Sequence, residues 1–181
     1  MSHTLARRAL SLTAAALAVT AVAACSSTPK PAESKAKNDD TAAVTAAAGQ
    51  YMKAWMDTPS QPKTMCELET AVARPNHAED GGTLEGCIKD YESFFAGQSP
   101  RSGALTIEIT NVQDVKAHGT QPAGKGALAT MKRVGADAPV RYVLRLVADA
   151  GTWRVAQSVE APASRYGHTA DPVADALEKA V

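Results

Sequence analysis

The sequence predicts an α+β fold in which three N-terminal helices pack on an antiparallel sheet of about four strands. Three observations predict it. Apolar residues recur at helical spacing in separate runs between Thr41 and Phe95. From Ala104 the period changes to strict alternation, which is the pattern of a half-buried strand. Asp149-Ala150-Gly151 separates two such alternating runs and reads as a tight hairpin. Helices segregated from strands along a chain mean α+β rather than α/β.

The first twenty-five residues are of another kind. Arg7 and Arg8 form a short positive stretch, and residues 9–24 carry no charge. An apolar run this short, after positive charge and before small residues, is a signal-peptide core, since a spanning helix needs about 20 apolar residues. It ends in Val22-Ala23-Ala24-Cys25, which resembles the bacterial lipobox: an aliphatic residue, two small residues and the cysteine to be modified. The resemblance implies lipid transfer to the Cys25 sulfur and cleavage before it, so that residues 1–24 are a lipoprotein signal. Two or more acyl chains, at about 0.8 kcal/mol per buried methylene, make a stable anchor. The expected address is the extracytoplasmic face of the cell membrane, with the lipid on Cys25 as the membrane contact.

Loss of Arg7 and Arg8 with the signal takes the 19 basic side chains to 17, against 19 acidic ones. A mature chain near −2 lacks the concentrated basic face that nucleic acid requires. Its length suits one domain with one core. Ser26 to Asp40 holds no aliphatic residue larger than Ala. Such a stretch cannot bury enough apolar surface to fold, so residues 25–40 read as the lipidated cysteine and a disordered tether with a reach of roughly 20 Å.

Asp39 or Asp40 can cap a first helix starting near Thr41, with Val44, Ala47, Ala48, Tyr51 and Trp55 on one stripe. Asp57-Thr58-Pro59 ends it. Thr64-Met65-Cys66-Glu67 matches a capping box for a second, short helix with Met65, Leu68 and Val72 inward. Thr83 can cap a third, whose apolar positions are Leu84, Cys87, Ile88, Tyr91 and Phe95. Cys66 and Cys87 each lie on or beside an apolar helix face. In a small exported domain an even pair reads as a disulfide, worth about 3 kcal/mol for a loop of about twenty residues. The rival reading, a redox or metal pair, lacks both C-x-x-C spacing and a histidine at ligand spacing.

In the strand half, Leu105, Ile107 and Ile109 share one face, and a jump of phase to Val112 suggests a bulge near Asn111. Gly126 to Val134 is a weaker second strand, where Ala127, Ala129 and Met131 compete with Leu128 and Val134 for the inner face. Val140, Tyr142, Leu144 and Leu146 alternate with Arg141, Val143, Arg145 and Val147. Trp153, Val155 and Val159 are expected on the inner face of a fourth strand, with Gln157 in phase as an inward polar residue.

This order of elements, closed by a hairpin whose turn leads into Trp153-Arg154-Val155, resembles the nuclear-transport-factor-2-like superfamily, the cystatin-like cone. The resemblance covers about Thr41 to Glu160. It implies a domain over residues 41–160 in which a long helix and two shorter ones pack into the concave face of a strongly curved sheet. It brings no catalytic motif, and that superfamily hosts enzymes, ligand carriers and assembly modules on one frame. Cone folds often dimerise, so a homodimer is an expectation by analogy. Residues 161–181 form a tail in which Asp171-Pro172 can start a short helix with Val173, Ala176, Leu177 and Ala180 on one stripe.

Chemistry is sparse. His77, His118 and His168 fall in expected loops or the tail, without metal-ligand spacing. No nucleophile elbow, phosphate loop or zinc signature is present, so no catalytic residue, metal or cofactor is assigned. Candidate ligand or partner contacts are Tyr51, Asp57, Tyr91, Tyr142 and Gln157 inside the cone. Arg141 and Arg145 join them on the opposite sheet face, with Arg154 beside them. Two functions fit. One is a non-enzymatic module that receives a small apolar ligand or an envelope protein. The other is a small-pocket enzyme, an isomerase or hydratase, using an inward carboxylate or Tyr as general acid or base.

Overall fold

The computed structural model describes residues 33–74, 82–99 and 101–179. Lipidation at Cys25, the signal over residues 1–24 and the loop histidine His77 lie outside the described residues. The fold is α+β. Helices α1 (Glu33–Met56), α2 (Pro62–Leu68) and α3 (Leu84–Ala96) precede strands β1 (Leu105–Val115), β2 (Gly124–Arg133), β3 (Val140–Asp149) and β4 (Thr152–Glu160). Helices α4 (Ala163–Tyr166) and α5 (Pro172–Lys179) follow. The strands form one antiparallel sheet in the order β1-β2-β3-β4. Among the described residues no helix is long and apolar enough to cross a membrane.

Helix α1 starts at Glu33, so Asp39 and Asp40 lie within it and part of the expected tether is helical. Its buried stripe, Val44, Ala48, Tyr51 and Met52, packs on all four strands. The second helix differs from its capping-box reading. Pro62, with φ preset for a first turn, occupies the start, and Gln61 precedes it with no side-chain cap. Thr64 is therefore already inside the helix, and Val72 beyond its end is exposed rather than inward. Thr83 does cap α3: its Oγ1 accepts from the Gly86 amide at 3.0 Å. Cys66 and Cys87 are joined in a disulfide that ties α2 to α3.

Two bulges decide what each strand faces. Asn111, at φ 53°, marks a register jump in β1 between Thr110 and Gln113. The other lies opposite Arg145/Leu146, where Leu146 pairs with Val155 but Arg145 pairs with Gln157. One extra residue on β4 reverses the alternation beyond it. Trp153 and Val155 therefore pack with the α1–α3 core, while Val159 packs in the core of the opposite face, against the inward expectation. Ala127, Ala129 and Met131 win the inner face of β2, and Val134 is exposed. The β3–β4 hairpin is a two-residue turn with Ala150 at φ 48° and Gly151 at φ 80°, closed by the Asp149–Thr152 pair.

The second sheet face is covered as well. Asp171 Oδ1 accepts from the Val173 and Ala174 amides at 3.1 and 3.0 Å, so Asp171 caps α5. Val173, Ala176 and Leu177 then bury against Leu128, Val143 and Val115. Tyr166 of α4, in the tail before the expected helix, joins the same cluster. Gly126 makes this docking possible, because a Cβ there would press on Val173 Cγ1 and stand 2.7 Å from Val115 Cγ1.

Candidate functional site

Glu69 organises the α1–α3 face. It follows the last residue of α2, where the chain straightens and bridges Val155 in parallel along the free edge of β4. The Thr70 amide donates to the Val155 carbonyl at 2.9 Å, which fixes the segment to the sheet. Arg74 secures the other side. Its Nε donates to the Cys66 carbonyl at 3.0 Å and its Nη2 to the Glu69 carbonyl at 3.2 Å, satisfying groups at a helix C-terminus that lack helical partners. The Glu69 side chain is thereby directed inward, at 1% exposure.

Two phenols meet it. Tyr51 of α1 donates to Glu69 Oε1 at 2.8 Å, and Tyr91 of α3 donates to the same oxygen at 2.7 Å. The phenol oxygens are 3.5 Å apart. Hydrogen bonds to a carboxylate are roughly twice as strong as neutral ones, so this arrangement holds three elements at one atom. Glu69 Oε2 lies 3.6 Å from Cys87 Sγ, a contact with a disulfide sulfur that has no proton to give. Burial first, and the carboxylate second, push both phenols above their ordinary value of 10.0. Tyr51 and Tyr91 are therefore donors throughout the neutral range, not bases.

Beside this knot a cleft of about 180 Å³ opens between α1 and the ends of β3 and β4. Tyr51, Trp55 and Tyr142 wall it, Glu69 and Val155 line its depth, and Ser158 borders it. Trp55 sits 6.2 Å from Tyr51 and 6.0 Å from Tyr142 between ring centroids, with tilted rings in both pairs. Tyr142 is also raised above its usual value, by burial first and by Glu160 next.

The structure thus brings together Tyr51, Tyr91 and Tyr142 and disperses the other candidates. Asp57 accepts from Lys53 Nζ and Gln61 Nε2, each at 2.7 Å, and serves as the end of α1. It borders a separate, shallow groove of about 560 Å³ with Phe95 and Arg101. Gln157 edges the cleft, but the bulge turns its side chain away, and its Oε1 accepts from Arg145 Nε at 3.2 Å. The expected basic face of Arg141, Arg145 and Arg154 is not assembled. Arg145 is 1% exposed and donates from Nη1 to the Lys116 and Pro122 carbonyls at 2.7 and 2.8 Å. Burial lowers its guanidinium from the ordinary value, and Glu178 opposes that. Arg154 reaches the Glu67 carbonyl and the Asp149 carboxylate, and Arg141 is half-buried.

Glu69 escaped the sequence reading, yet it had a signal. It stands three residues after Cys66, and Tyr91 stands four after Cys87, so a Cys66–Cys87 bond draws both toward one place. Cys66, Glu69 and Cys87 also lie within metal-ligand reach of one another, but the two sulfurs are bonded to each other and offer no thiolate. A scan against protein-family models and a search of curated proteins match nothing to this chain.

Proposed function

We propose that the chain is a membrane-anchored extracytoplasmic lipoprotein whose domain, of the nuclear-transport-factor-2-like kind, binds a small ligand without turning it over. The layering of α1–α3 on one face of a four-stranded antiparallel sheet supports the cone reading. The lipobox-like Val22-Ala23-Ala24-Cys25 supports the anchor. The observation that carries the binding role is the aromatic cleft over Glu69. A general base must present an oxygen to the proton it takes, whereas Glu69 is 1% exposed and its Oε1 is engaged by two phenols that stay protonated. Glu69 does supply the inward carboxylate that an isomerase or hydratase would require. Its engagement by Tyr51 and Tyr91 makes a structural and electrostatic role the better reading.

Native mass spectrometry of the full chain from detergent tests the proposal. A small molecule should stay bound to the folded protein and be lost in Trp55→Ala. A clean apo species that takes up no small molecule would point to protein contact instead. Fatty-acid labelling that survives in Cys25→Ala would remove the anchor.

A further inference from the structure

We propose that the cleft beside Glu69 receives a small quaternary ammonium cation, a methylated amine of about choline size. This rests on the ligand-binding reading above and names its ligand class. Three features of the cleft lead to it.

The first is the wall. Tyr51, Trp55 and Tyr142 supply three aromatic rings around one opening. Trp55 is inclined by 55° to Tyr51 and by 46° to Tyr142, so none of these pairs is stacked face on face. Aromatic faces attract cations through the ring quadrupole, most strongly when water is excluded, and Trp is the best of them.

The second is the sign of the charge. The described lining holds the Glu69 carboxylate and no cationic side chain. Glu160, which pairs with Tyr142 across β3 and β4, adds negative charge beside that ring. Arg101 acts on Tyr142 in the opposite sense, but its guanidinium is directed to Gln98 Oε1 at 2.9 Å and Met56 Sδ at 3.1 Å.

The third separates a quaternary from a primary ammonium. Glu69 Oε1 already accepts two hydrogen bonds, and Oε2 lies against the disulfide. Because Glu69 is also 1% exposed, the carboxylate acts on a ligand chiefly by its field. A primary ammonium brings three donors that must be satisfied when buried. A fully methylated one brings none, and its methyl groups suit the ring faces. The volume agrees: about 180 Å³ is the share of roughly six waters at about 30 Å³ each, room for a molecule of similar heavy-atom count.

Calorimetry and tryptophan fluorescence on the full chain in a non-ionic detergent test this with choline and its neutral carbon isostere, 3,3-dimethylbutan-1-ol. The two differ in charge and hardly in shape. Choline should bind at least tenfold more tightly, a difference of about 1.4 kcal/mol. Equal affinities would overturn the cation inference and leave a small-ligand site standing. No binding of either at millimolar concentration would overturn both. Glu69→Gln keeps an oxygen for the two phenols and removes the charge, so a folded variant should keep only the part of the preference that the rings supply. A preference of undiminished size there would overturn the role given to Glu69. If that variant fails to fold, the comparison of the two ligands on the unaltered chain still decides.

Discussion

Glu69 and Arg145 are both buried to 1% exposure, one on each side of the sheet, and they are satisfied in different ways. Glu69 is held by side chains, the phenols of Tyr51 and Tyr91, which come from two helices distant in sequence. Arg145 is held mainly by main chain, the carbonyls of Lys116 and Pro122 in the β1–β2 connection, with Gln157 as the side-chain partner. A buried charge costs stability unless it is paired and hydrogen-bonded, and both solutions meet that condition. Their consequences differ. Backbone carbonyls close around Arg145 and make it a staple for a loop. Aromatic side chains around Glu69 leave ring faces and a cleft beside the charge. A charge held by bulky aromatics can serve a ligand, and one wrapped in main chain serves the fold.

The contrast can be broken most sharply at the covalent link on the Glu69 side. Replacing Cys66 and Cys87 together by Ser should cost about 3 kcal/mol by the loop-entropy estimate. It should also loosen Tyr91 from Glu69, seen as a lower midpoint in urea and a changed near-ultraviolet spectrum. On the other side, Arg145→Met should cost about 2–3 kcal/mol, because it removes the guanidinium hydrogen bonds to the Lys116 and Pro122 carbonyls. Its signature should be faster amide exchange over residues 116–122, with the aromatic spectrum of the Glu69 side unchanged. Next comes Gly126→Ala, expected to cost about 2 kcal/mol through overpacking against Val173 and Val115. Proteolysis should then release the C-terminal tail before the sheet is cut.

The smallest single effects belong to the phenols. Tyr51→Phe or Tyr91→Phe should each cost about 1–1.5 kcal/mol, and the double variant more than the sum, since either phenol alone still satisfies the oxygen they share. They also sharpen the comparison through pH. A phenol whose folded value lies above its unfolded one keeps its proton in the folded state after the unfolded chain has released it. Stability should thus be level below pH 10.0 and fall as pH rises beyond it. Tyr51→Phe should flatten that alkaline limb, and denaturant titrations on both sides of pH 10 would read it. An unchanged limb would mean that the phenols do not carry the dependence.

Much of this was legible in local pattern. The Thr83 cap, the bulge at Asn111 and the Asp149–Gly151 hairpin appear where short-range chemistry placed them. Pairing Cys66 with Cys87 required only the count of thiols in the domain. Less legible was anything that depends on strand phase across a bulge. Gln157 and Val159 alternate with Trp153 in the sequence, and one extra residue opposite Arg145 sends them to the other face. Arg145 itself alternates as an outward residue should, and periodicity cannot say that α5 will cover that outward face.

By itself the sequence determined most of the segments that are helical or extended, where most of them turn and which thiols pair. Those are decided by neighbours within a few residues, or by a choice among very few partners. Only the tertiary structure decided the placement of Glu69. A carboxylate just past a short helix looks like a solvent-facing end until the β4 edge, Tyr51 and Tyr91 close on it. Tertiary packing likewise decided that the two faces of one sheet would hold opposite charges, each satisfied by groups far away in the chain. Burial of a charge is a property of the whole fold, because the partners that make it tolerable arrive from elements that local sequence does not connect.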